Sequence, residues 1–323
     1  GLTFLRPGPH SFQAKTYTRA DGLAQDSVYS VYETREGVVW AGTLSGGVSK
    51  FEHGKFTTYT AAPGGLASNT VASILESGDG TLWFATPTGL SSLSQGRWRT
   101  YTSADGLPSD NVNCLLQDSG GILWAGTTAG LAFRASDRFQ TPAKTPASLR
   151  EQIFGIAEDR EGSLWTTTSN HVVRVNRRTL LDGSLTDGDV RDYGLTDGLR
   201  GVHGVKRDSS IVADSLGRIW VSLNRGISVV DPARLTASSV PAIAHIQTIS
   251  ADGSPVDSTG AIRLPAGSQR VLFRYAGLSL SIPDRVRFRY QLEGFDHGWS
   301  DSVAEREAVY TNLAPGPYRF RVM

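Results

Sequence analysis

The stretch Asp118-Ser-Gly-Gly-Ile-Leu-Trp-Ala-Gly-Thr-Thr-Ala-Gly-Leu131 decides the fold of this chain. It combines a tight turn at Gly120-Gly121, a short strand centred on Trp124, a second turn at Gly130 and the start of another strand. Glycine supplies the positive φ that such turns need, and an apolar run of this length suits a buried strand. None of its residues carries catalytic chemistry. The stretch is therefore a structural unit, and its importance lies in its copies.

Four further copies of this unit can be aligned on tryptophan. The five aligned residues are Trp40, Trp83, Trp124, Trp165 and Trp220, and successive ones are 43, 41, 41 and 55 residues apart. A glycine stands three residues before each tryptophan. An acidic residue stands shortly before that glycine, and we interpret it as the cap of the hairpin turn. These expected caps are Glu33, Glu76, Asp118, Asp159 and Asp214.

Each unit divides into four short strands. In the third unit the strands are predicted at residues 112–116, 122–127, 131–134 and 138–140, and no stretch of the chain has convincing helical periodicity. Four strands per unit, repeated about every 41 residues, are typical of a β-propeller. We therefore expect the tryptophans to fill the space between neighbouring blades. Parallel helical solenoids fit less well because their repeats are shorter.

A second phrase recurs between the units. Its copies are Asp21-Gly-Leu23, Gly65-Leu66, Asp105-Gly-Leu107 and Asp197-Gly-Leu199, each preceded by a tyrosine. We predict a turn at Asp-Gly and a leucine that plugs the gap between blades. The start of the chain, Gly1–Leu5, looks like the strand after a blade's second turn, so a partial blade precedes the five complete units. Five blades, six blades and an arc of a larger ring all stay open.

The composition argues against several classes of partner and against an internal disulfide. The chain has 323 residues, a net charge of +1, 39% hydrophobic residues and a single cysteine, Cys114. Near-neutral charge favours neither a nucleic-acid partner nor an anionic membrane surface, and no apolar run is long enough to span a bilayer. One cysteine excludes an internal disulfide. The first residue is Gly1 and the only methionine is Met323, so we expect a segment of a longer polypeptide whose membrane anchor lies outside this sequence.

Two resemblances follow from these motifs. Asp105-Gly-Leu107, with Asp118…Trp124-Ala-Gly-Thr127 and Gly130-Leu131, resembles the two-component regulator propeller repeat. Residues 241–323 indicate a small Ig-like β-sandwich, with strands predicted at 243–250, 270–276, 286–292, 308–311 and 318–322. This part is similar to the Y_Y_Y (three-tyrosine) domain, with Tyr290, Tyr310 and Tyr318 as its tyrosines. The fourth unit departs from the pattern, since it has Asn170-His171 in place of Gly-Leu and lacks Asp-Gly-Leu.

The resemblances imply an all-β chain with a propeller at residues 1–238 and a sandwich at 239–323, truncated at its C-terminus. They also imply the periplasmic, non-catalytic sensor region of an inner-membrane two-component receptor. Its expected partners are an unknown small ligand, such as a carbohydrate, and a second copy bound through the Y_Y_Y domain. The output module would be a histidine kinase or a similar domain. No cofactor, metal or nucleic acid is expected, and the three tyrosines are expected to serve packing and hydrogen bonding.

The best candidate for a ligand site is the segment 197–207, where the repeat breaks. It brings together Arg200, His203, Lys206 and Arg207, and we expect these residues near the mouth of the ring, with His171 as a further candidate. Such groups could bind an anion or a sugar. The competing interpretation is that the segment is a loop whose charged side chains face water and bind no ligand. Arg285, Arg287 and Arg289 alternate along a predicted strand and favour a solvated face or a dimer rim.

Two other classes of function are compatible with the sequence. One is a free-standing propeller enzyme, either a virginiamycin-B-lyase-like lyase, for which His171 and His203 are remote candidates, or a glycan hydrolase. The acidic residues mostly occupy repeated turn positions, however, and the aspartate box of sialidase propellers is absent. The other is a protein-interaction scaffold. The six histidines show no metal-ligand spacing.

Overall fold

The computed structural model describes residues 1–8, 11–235, 243–257, 262–265, 267–278 and 286–323. The chain divides into two compact units, Gly1–Arg234 and Leu235–Met323. The domain boundary expected at residues 238 and 239 lies outside the described residues, as does Arg285.

The first unit is a series of antiparallel sheets, each built from strands that are consecutive in sequence. A two-stranded sheet contains β1 (Leu2–Pro7) and β2 (Phe12–Tyr17). Four blades of four strands each follow. The first contains β3 (Val28–Glu33), β4 (Val39–Thr43), β5 (Val48–Glu52) and β6 (Lys55–Tyr59), and the second contains β7 (Ser73–Glu76), β8 (Leu82–Thr86), β9 (Gly89–Ser94) and β10 (Arg97–Tyr101). The third contains β11 (Val112–Gln117), β12 (Leu123–Thr127), β13 (Gly130–Ala135) and β14 (Arg138–Gln140), and the fourth contains β15 (Ile153–Glu158), β16 (Ser163–Thr168), β17 (Val172–Asn176) and β18 (Val190–Tyr193). The fifth blade contains β19 (Ile211–Ala213), β20 (Ile219–Leu223) and β21 (Gly226–Val230).

These sheets confirm the predicted β-propeller, with five tryptophan blades preceded by a partial blade. The inner strands β3, β7, β11, β15 and β19 contact one another in that order. The prediction of four strands is correct for the first four blades, whereas the fifth blade has three strands within the described part of the chain. Small residues at the centre of β4, β8 and β12 allow the close approach of neighbouring inner strands, as where Ile153 lies against Gly126.

The tryptophans pack between blades as predicted, with one exception. Trp40, Trp83, Trp124 and Trp165 are at most 3% exposed. Trp40 contacts Phe84 of the next blade, with ring centroids 5.4 Å apart. Trp220 is 37% exposed, because no described blade covers that face of the fifth blade. Four of the five tryptophans are therefore inter-blade core residues.

The turn before each tryptophan is closed by the residue six positions ahead of it. Asp118, Asp159 and Asp214 occupy this position, and each accepts a hydrogen bond from its tryptophan's indole N–H. The first two blades have Thr34 and Ser77 there. The prediction that Glu33 and Glu76 cap their own turns is therefore wrong, because both lie one residue too early. Glu76 instead accepts from the Arg35 amide of the preceding blade's turn.

The phrase Asp-Gly-Leu forms the predicted turn and plug. In Asp105-Gly-Leu107 the aspartate accepts from the Thr102 amide, Gly106 has φ +99°, and Leu107 is 3% exposed. The fourth blade lacks the phrase, and the fully buried Leu149 fills the corresponding space. Short 3₁₀ turns occur at Arg19–Asp21, Ser103–Asp105, Ala147–Leu149, Asp187–Asp189, Leu195–Asp197 and Pro232–Arg234.

One α-helix, α1 (Arg177–Asp182), was missed by the expectation that the sequence has no helix. Its six residues span fewer than two turns, so they cannot show helical periodicity. Local capping explains the helix. The Asn176 side chain accepts from the amides of Arg178 and Thr179, and Gly183 closes the C-terminus in the left-handed region.

The second unit is the predicted β-sandwich. Its strands are β22 (Ile243–Ala251), β23 (Ser254–Val256), β24 (Arg270–Leu278), β25 (Tyr290–Glu293), β26 (Glu307–Thr311) and β27 (Arg319–Val322). One sheet has the order β23-β22-β24-β26 and the other pairs β25 with β27. The strand expected at 286–292 begins later than predicted, at Tyr290, and Phe288 forms only an isolated bridge to Val303. Phe273, Tyr275, Phe288 and Tyr310 are central members of its core.

Candidate functional site

The segment that follows Leu199, between the fourth and fifth blades, is bonded through its backbone to a turn of each of these blades. The His203 carbonyl accepts from the Asn224 amide, and the Gly204 amide donates to the Thr168 carbonyl. Residue 204 also pairs with Leu223 as an isolated bridge. A Cβ at Gly204 would lie within about 3 Å of Phe154 and Thr167, so the close approach needs glycine. We call residues 203–210 the strap.

The middle of the strap reaches the first blade. The Lys206 carbonyl accepts from the Tyr29 hydroxyl at 3.3 Å. The Arg207 guanidinium donates to the same hydroxyl at 3.2 Å and lies 5.1 Å from the centre of the Tyr29 ring. Tyr29 is the residue at which β3 bulges, since the register between β3 and β4 shifts between Val28 and Ser30. The strap therefore spans from the last two blades to the first.

The predicted site residues divide into two groups. His203 lies next to the turn that carries His171, because Gly204 bonds to Thr168 of that turn. The Arg200 amide donates to Ser228 of the fifth blade. Lys206 and Arg207 lie instead at Tyr29. The side chains of Arg200, His203, Lys206 and Arg207 are exposed, and His171 is half-buried with its Nδ1 3.2 Å from Glu151 Oε1.

Sequence reasoning missed Asp208, the carboxylate that follows Arg207. It is half-buried, close to the Ser73 hydroxyl and to the backbone amides of Val31 and Ser209. Burial raises its pKa to about 6, although these neighbouring donors oppose the rise. No sequence pattern marks Asp208, which is followed by two serines in a loop. The residues near it in the fold, Ser73 and Val31, lie about 135 and 177 residues away in sequence.

The segment presents exposed cationic and imidazole side chains at Arg200, His203, Lys206 and Arg207. The exposed cations of the segment could contact an anion or the hydroxyl groups of a sugar. Within the described residues, no three His, Cys, Asp or Glu side chains are grouped so as to hold a metal ion. Cys114 is buried, and its burial raises the thiol pKa well above the ordinary value, so the residue is not an activated nucleophile.

The tyrosines of the sandwich have structural contacts. The Tyr310 hydroxyl donates to Asp296 at 2.6 Å, and the Tyr318 hydroxyl donates to the Ala314 carbonyl at 2.7 Å. The Tyr290 ring packs against Phe320 and Tyr275. Arg287 and Arg289 are both exposed. In the same unit a groove of about 700 Å³ lies along β22 and β27, with Trp299 in its wall.

Family models match both units. The model described as "Two component regulator propeller" matches residues 22–45, 65–88 and 106–129. The model described as "Y_Y_Y domain" matches residues 279–323. The chain carries two-component regulator propeller repeats followed by a Y_Y_Y domain. The matched repeats contain Trp40, Trp83 and Trp124. In each of these three units both the Gly-Leu phrase and a strand with the pattern Trp-x-x-Thr are present.

Solved structures share this fold. The extracellular domain of a hybrid two-component system from B. thetaiotaomicron has a TM-score of 0.77 at 18% identity, over 99% of this chain and 44% of that one. The extracellular domain of a one-component system from the same organism has a TM-score of 0.54 at 18% identity, over 99% and 45%. Virginiamycin B lyase from Staphylococcus aureus has a TM-score of 0.46 at 17% identity, over 78% and 81%, which is too low to support an argument about function.

The chain spans less than half the length of the two B. thetaiotaomicron domains. At 18% identity the likeness establishes the fold and leaves the ligand open. No curated protein matches the sequence significantly. Among the described residues, no helix has the length and apolar character needed to cross a membrane.

Proposed function

We propose that this chain is the extracytoplasmic, ligand-sensing region of a two-component signal transduction receptor. The observation that carries the proposal is the order of modules, regulator propeller repeats and then a Y_Y_Y domain in one chain. The fold shared with extracellular domains of bacterial signalling systems supports it. In this role the chain is non-catalytic and lies on the periplasmic side of the inner membrane.

The ligand site of the proposal is the segment that contains Arg200, His203, Lys206 and Arg207, together with His171 of the adjacent turn. The ligand class is a sugar, an oligosaccharide or a small anion. Four exposed cationic or imidazole side chains on one segment support this choice, because charge-assisted hydrogen bonds to hydroxyl or carboxylate oxygens are strong and directional. The Y_Y_Y domain then relays binding, through a homodimer, to an output module such as a histidine kinase.

A thermal-shift screen of sugars, oligosaccharides and small anions tests the ligand site. Arg200→Ala and Arg207→Ala should each reduce the shift produced by a hit. Neither change should lower the Tm of the free protein appreciably, because both side chains are exposed. Arg178→Ala is a matched control, since that arginine is 90% exposed and lies outside the site on α1. Hits that bind both site variants as tightly as the control would exclude this segment.

The receptor proposal has a separate test. The gene sequence beyond Met323 should encode a membrane helix and an output module such as a histidine kinase. An open reading frame that ended shortly after the sandwich would contradict the receptor, and it would leave the ligand-site experiment unaffected.

A further inference from the structure

The turns between the first and second strands of each blade lie at one face of the propeller, and side chains cross between neighbouring turns there. The crossing side chain belongs to the residue five positions before the tryptophan of its blade. The crossing residues and their acceptors are Arg35 with the Ser77 and Gly78 carbonyls, Ser119 with the Glu158 carboxylate, and Arg160 with the Ser215 carbonyl. These bonds close three of the crevices between blades.

The crevice between the second and third blades lacks this bridge. The residue five positions before Trp83 is Gly78, which has no side chain to cross. On the facing turn, Gln117 occupies the position at which Glu76 and Glu158 bind the preceding turn in their own crevices. The Gln117 amide instead donates to the Gly121 carbonyl of its own turn. Within the described part of the chain, no hydrogen bond joins the two turns, so the crevice is open.

A third departure from the repeat lies on β13. In each blade we compare the residue that follows the one paired with the tryptophan. It is apolar in four blades, as Phe51, Leu93, Val175 and Val230. Phe51, for example, packs on Phe4 and Tyr17 of the preceding sheet. In the third blade the residue is Arg134, whose guanidinium lies 5.2 Å from the centre of the Trp83 ring of the preceding blade.

A cavity of about 390 Å³ lies at this crevice. Its wall includes the apolar Trp83 and Leu123 and the polar Asp79, Gln117 and Arg134. The volume is within the range of small-molecule sites, roughly 300–1,000 Å³. The strap is bonded to turns between the second and third strands of its blades. Such turns lie at the other end of antiparallel strands, so the cavity and the strap are on opposite faces.

The polar groups of the cavity have unused hydrogen-bonding capacity. Arg134 Nε is buried without a hydrogen-bond partner, and among the described residues the guanidinium pairs only with the exposed Asp137, at 3.3 Å. Asp79 Oδ1 accepts from the Ser77 hydroxyl at 2.6 Å and from the Thr81 amide at 3.1 Å, whereas Oδ2 accepts from no described residue. The Ser77 bond lowers the pKa of Asp79, so this group is a carboxylate at neutral pH.

We propose that this cavity binds the zwitterion of a small apolar amino acid, with the carboxylate on Arg134 and the ammonium on Asp79 and the Gln117 carbonyl oxygen. The two unlike charges share one cavity without pairing with each other, and they match a ligand that carries both. A simple anion would also meet Asp79, a simple cation would meet Arg134, and a neutral sugar would compensate neither charge. Leu123 and the edge of Trp83 contact the apolar side chain.

Isothermal titration calorimetry of the whole chain with L-alanine, L-valine and L-leucine tests the site. The amino acid that binds tightest is then compared with its deaminated acid and its decarboxylated amine. Each analogue should bind at least about tenfold more weakly, because it leaves one charged group of the cavity unpaired. D-glucose is the neutral comparison and should not bind at this cavity. The experiment is independent of the ligand site proposed on the strap.

Two variants assign the charges. Arg134→Leu, which places the residue of the second blade at this position, should weaken binding of the amino acid at least about tenfold. Arg99→Leu is the matched control, since Arg99 also lies over an aromatic ring, 4.4 Å from the centre of Tyr101, and does not line the cavity. Asp79→Asn should weaken the amino acid about tenfold without weakening its deaminated acid, because only the ammonium loses its partner.

Gly78→Arg provides a second measurement if Arg134→Leu does not fold. A Cβ at Gly78 has only an ordinary contact, 3.7 Å from Gln117 Oε1, and the arginine can cross the crevice as Arg35 does in the first blade. It should block binding without lowering the Tm. Failure of all three amino acids to bind, binding of D-glucose in their place, equal losses in Arg99→Leu and Arg134→Leu, or unchanged binding in Gly78→Arg would each overturn the proposal.

Discussion

The indole Nε1 of Trp124 donates a 2.7 Å hydrogen bond to the Asp118 carboxylate, and both side chains are buried. The other oxygen of that carboxylate accepts from the Ile122 amide and closes the turn. Arg177, which follows the third strand of the next blade, lies 3.0 Å from the same group. One side chain thus joins the turn, the inter-blade tryptophan and the neighbouring blade.

Asp118→Ala should lower the free energy of unfolding by about 3 kcal/mol, because a buried indole N–H loses its acceptor and the largely buried Arg177 guanidinium keeps only Glu158 as its ion-pair partner. Urea unfolding measures the loss. Asp137→Ala is the control, since Asp137 is 83% exposed in its pair with Arg134 and should cost no more than about 0.5 kcal/mol. Equal effects of the two changes would show that the carboxylate is not a structural centre.

Thr34→Asp should stabilise the first blade. The Trp40 indole N–H is buried and has no hydrogen-bond partner, and Thr34 occupies the position that Asp118 holds in the third blade. An aspartate there would supply the missing acceptor and add about 1 kcal/mol. Thr34→Val, which offers no acceptor to the indole N–H and loses the bond from the Val38 amide, should not raise the Tm. A lower Tm for Thr34→Asp would contradict the equivalence of the two turns.

Gly106→Ala should be far more damaging than Gly198→Ala. Both glycines follow the aspartate of the same turn, with φ +99° and +89°, so both alanines have similar backbone strain of about 1 kcal/mol. At Gly106, however, a Cβ would lie 2.0 Å from the Phe139 carbonyl oxygen, whereas at Gly198 nothing lies within 4 Å. Thermal unfolding of the two variants makes the comparison, and similar losses would refute the steric argument.

Tyr310→Phe should destabilise the sandwich by about 1–2 kcal/mol through loss of the bond to Asp296. Burial, followed by that bond, raises the Tyr310 pKa well above its usual range. A raised pKa gives stability that is complete below the unfolded value of about 10 and is lost as the pH rises through the folded value.

Urea unfolding followed by near-ultraviolet circular dichroism should therefore show a constant advantage of the native sequence over Tyr310→Phe up to about pH 9.5, and a smaller one above pH 10. Tyr318→Phe, which loses only a neutral carbonyl acceptor, should cost less at every pH. An advantage that grew with pH would contradict this account.

The propeller was predictable because its information is local and repeated. Trp124, its glycine and its turn recur at a nearly constant interval, and each copy confirms the others. The errors arose where a single residue decided the outcome. Glu33 and Glu76 satisfied a loose acidic pattern, while the position that closes the turn belongs to Thr34 and Ser77. Helix α1 depends on the Asn176 cap and is too short for any periodic signal.

The site residues were chosen from a break in the repeat, and the break does mark an unusual segment. The sequence alone could place Arg200, His203, Lys206 and Arg207 on that segment, but it could not show that they contact different blades. Folding directs Arg207 to Tyr29 of the first blade and leaves Arg200 beside Ser228 of the fifth blade.

By itself, the sequence determined the fold class, the blade repeat, the inter-blade role of the tryptophans and the module order. These properties depend on residue periods and on contacts between adjacent copies. Only the tertiary structure decided the partners of Asp208, since Val31 and Ser73 are remote in sequence and meet it at the inner strands. Such a contact depends on how successive blades bring their inner strands together, and no local pattern records it. The same packing partly buries this carboxyl, and burial raises its pKa to about 6.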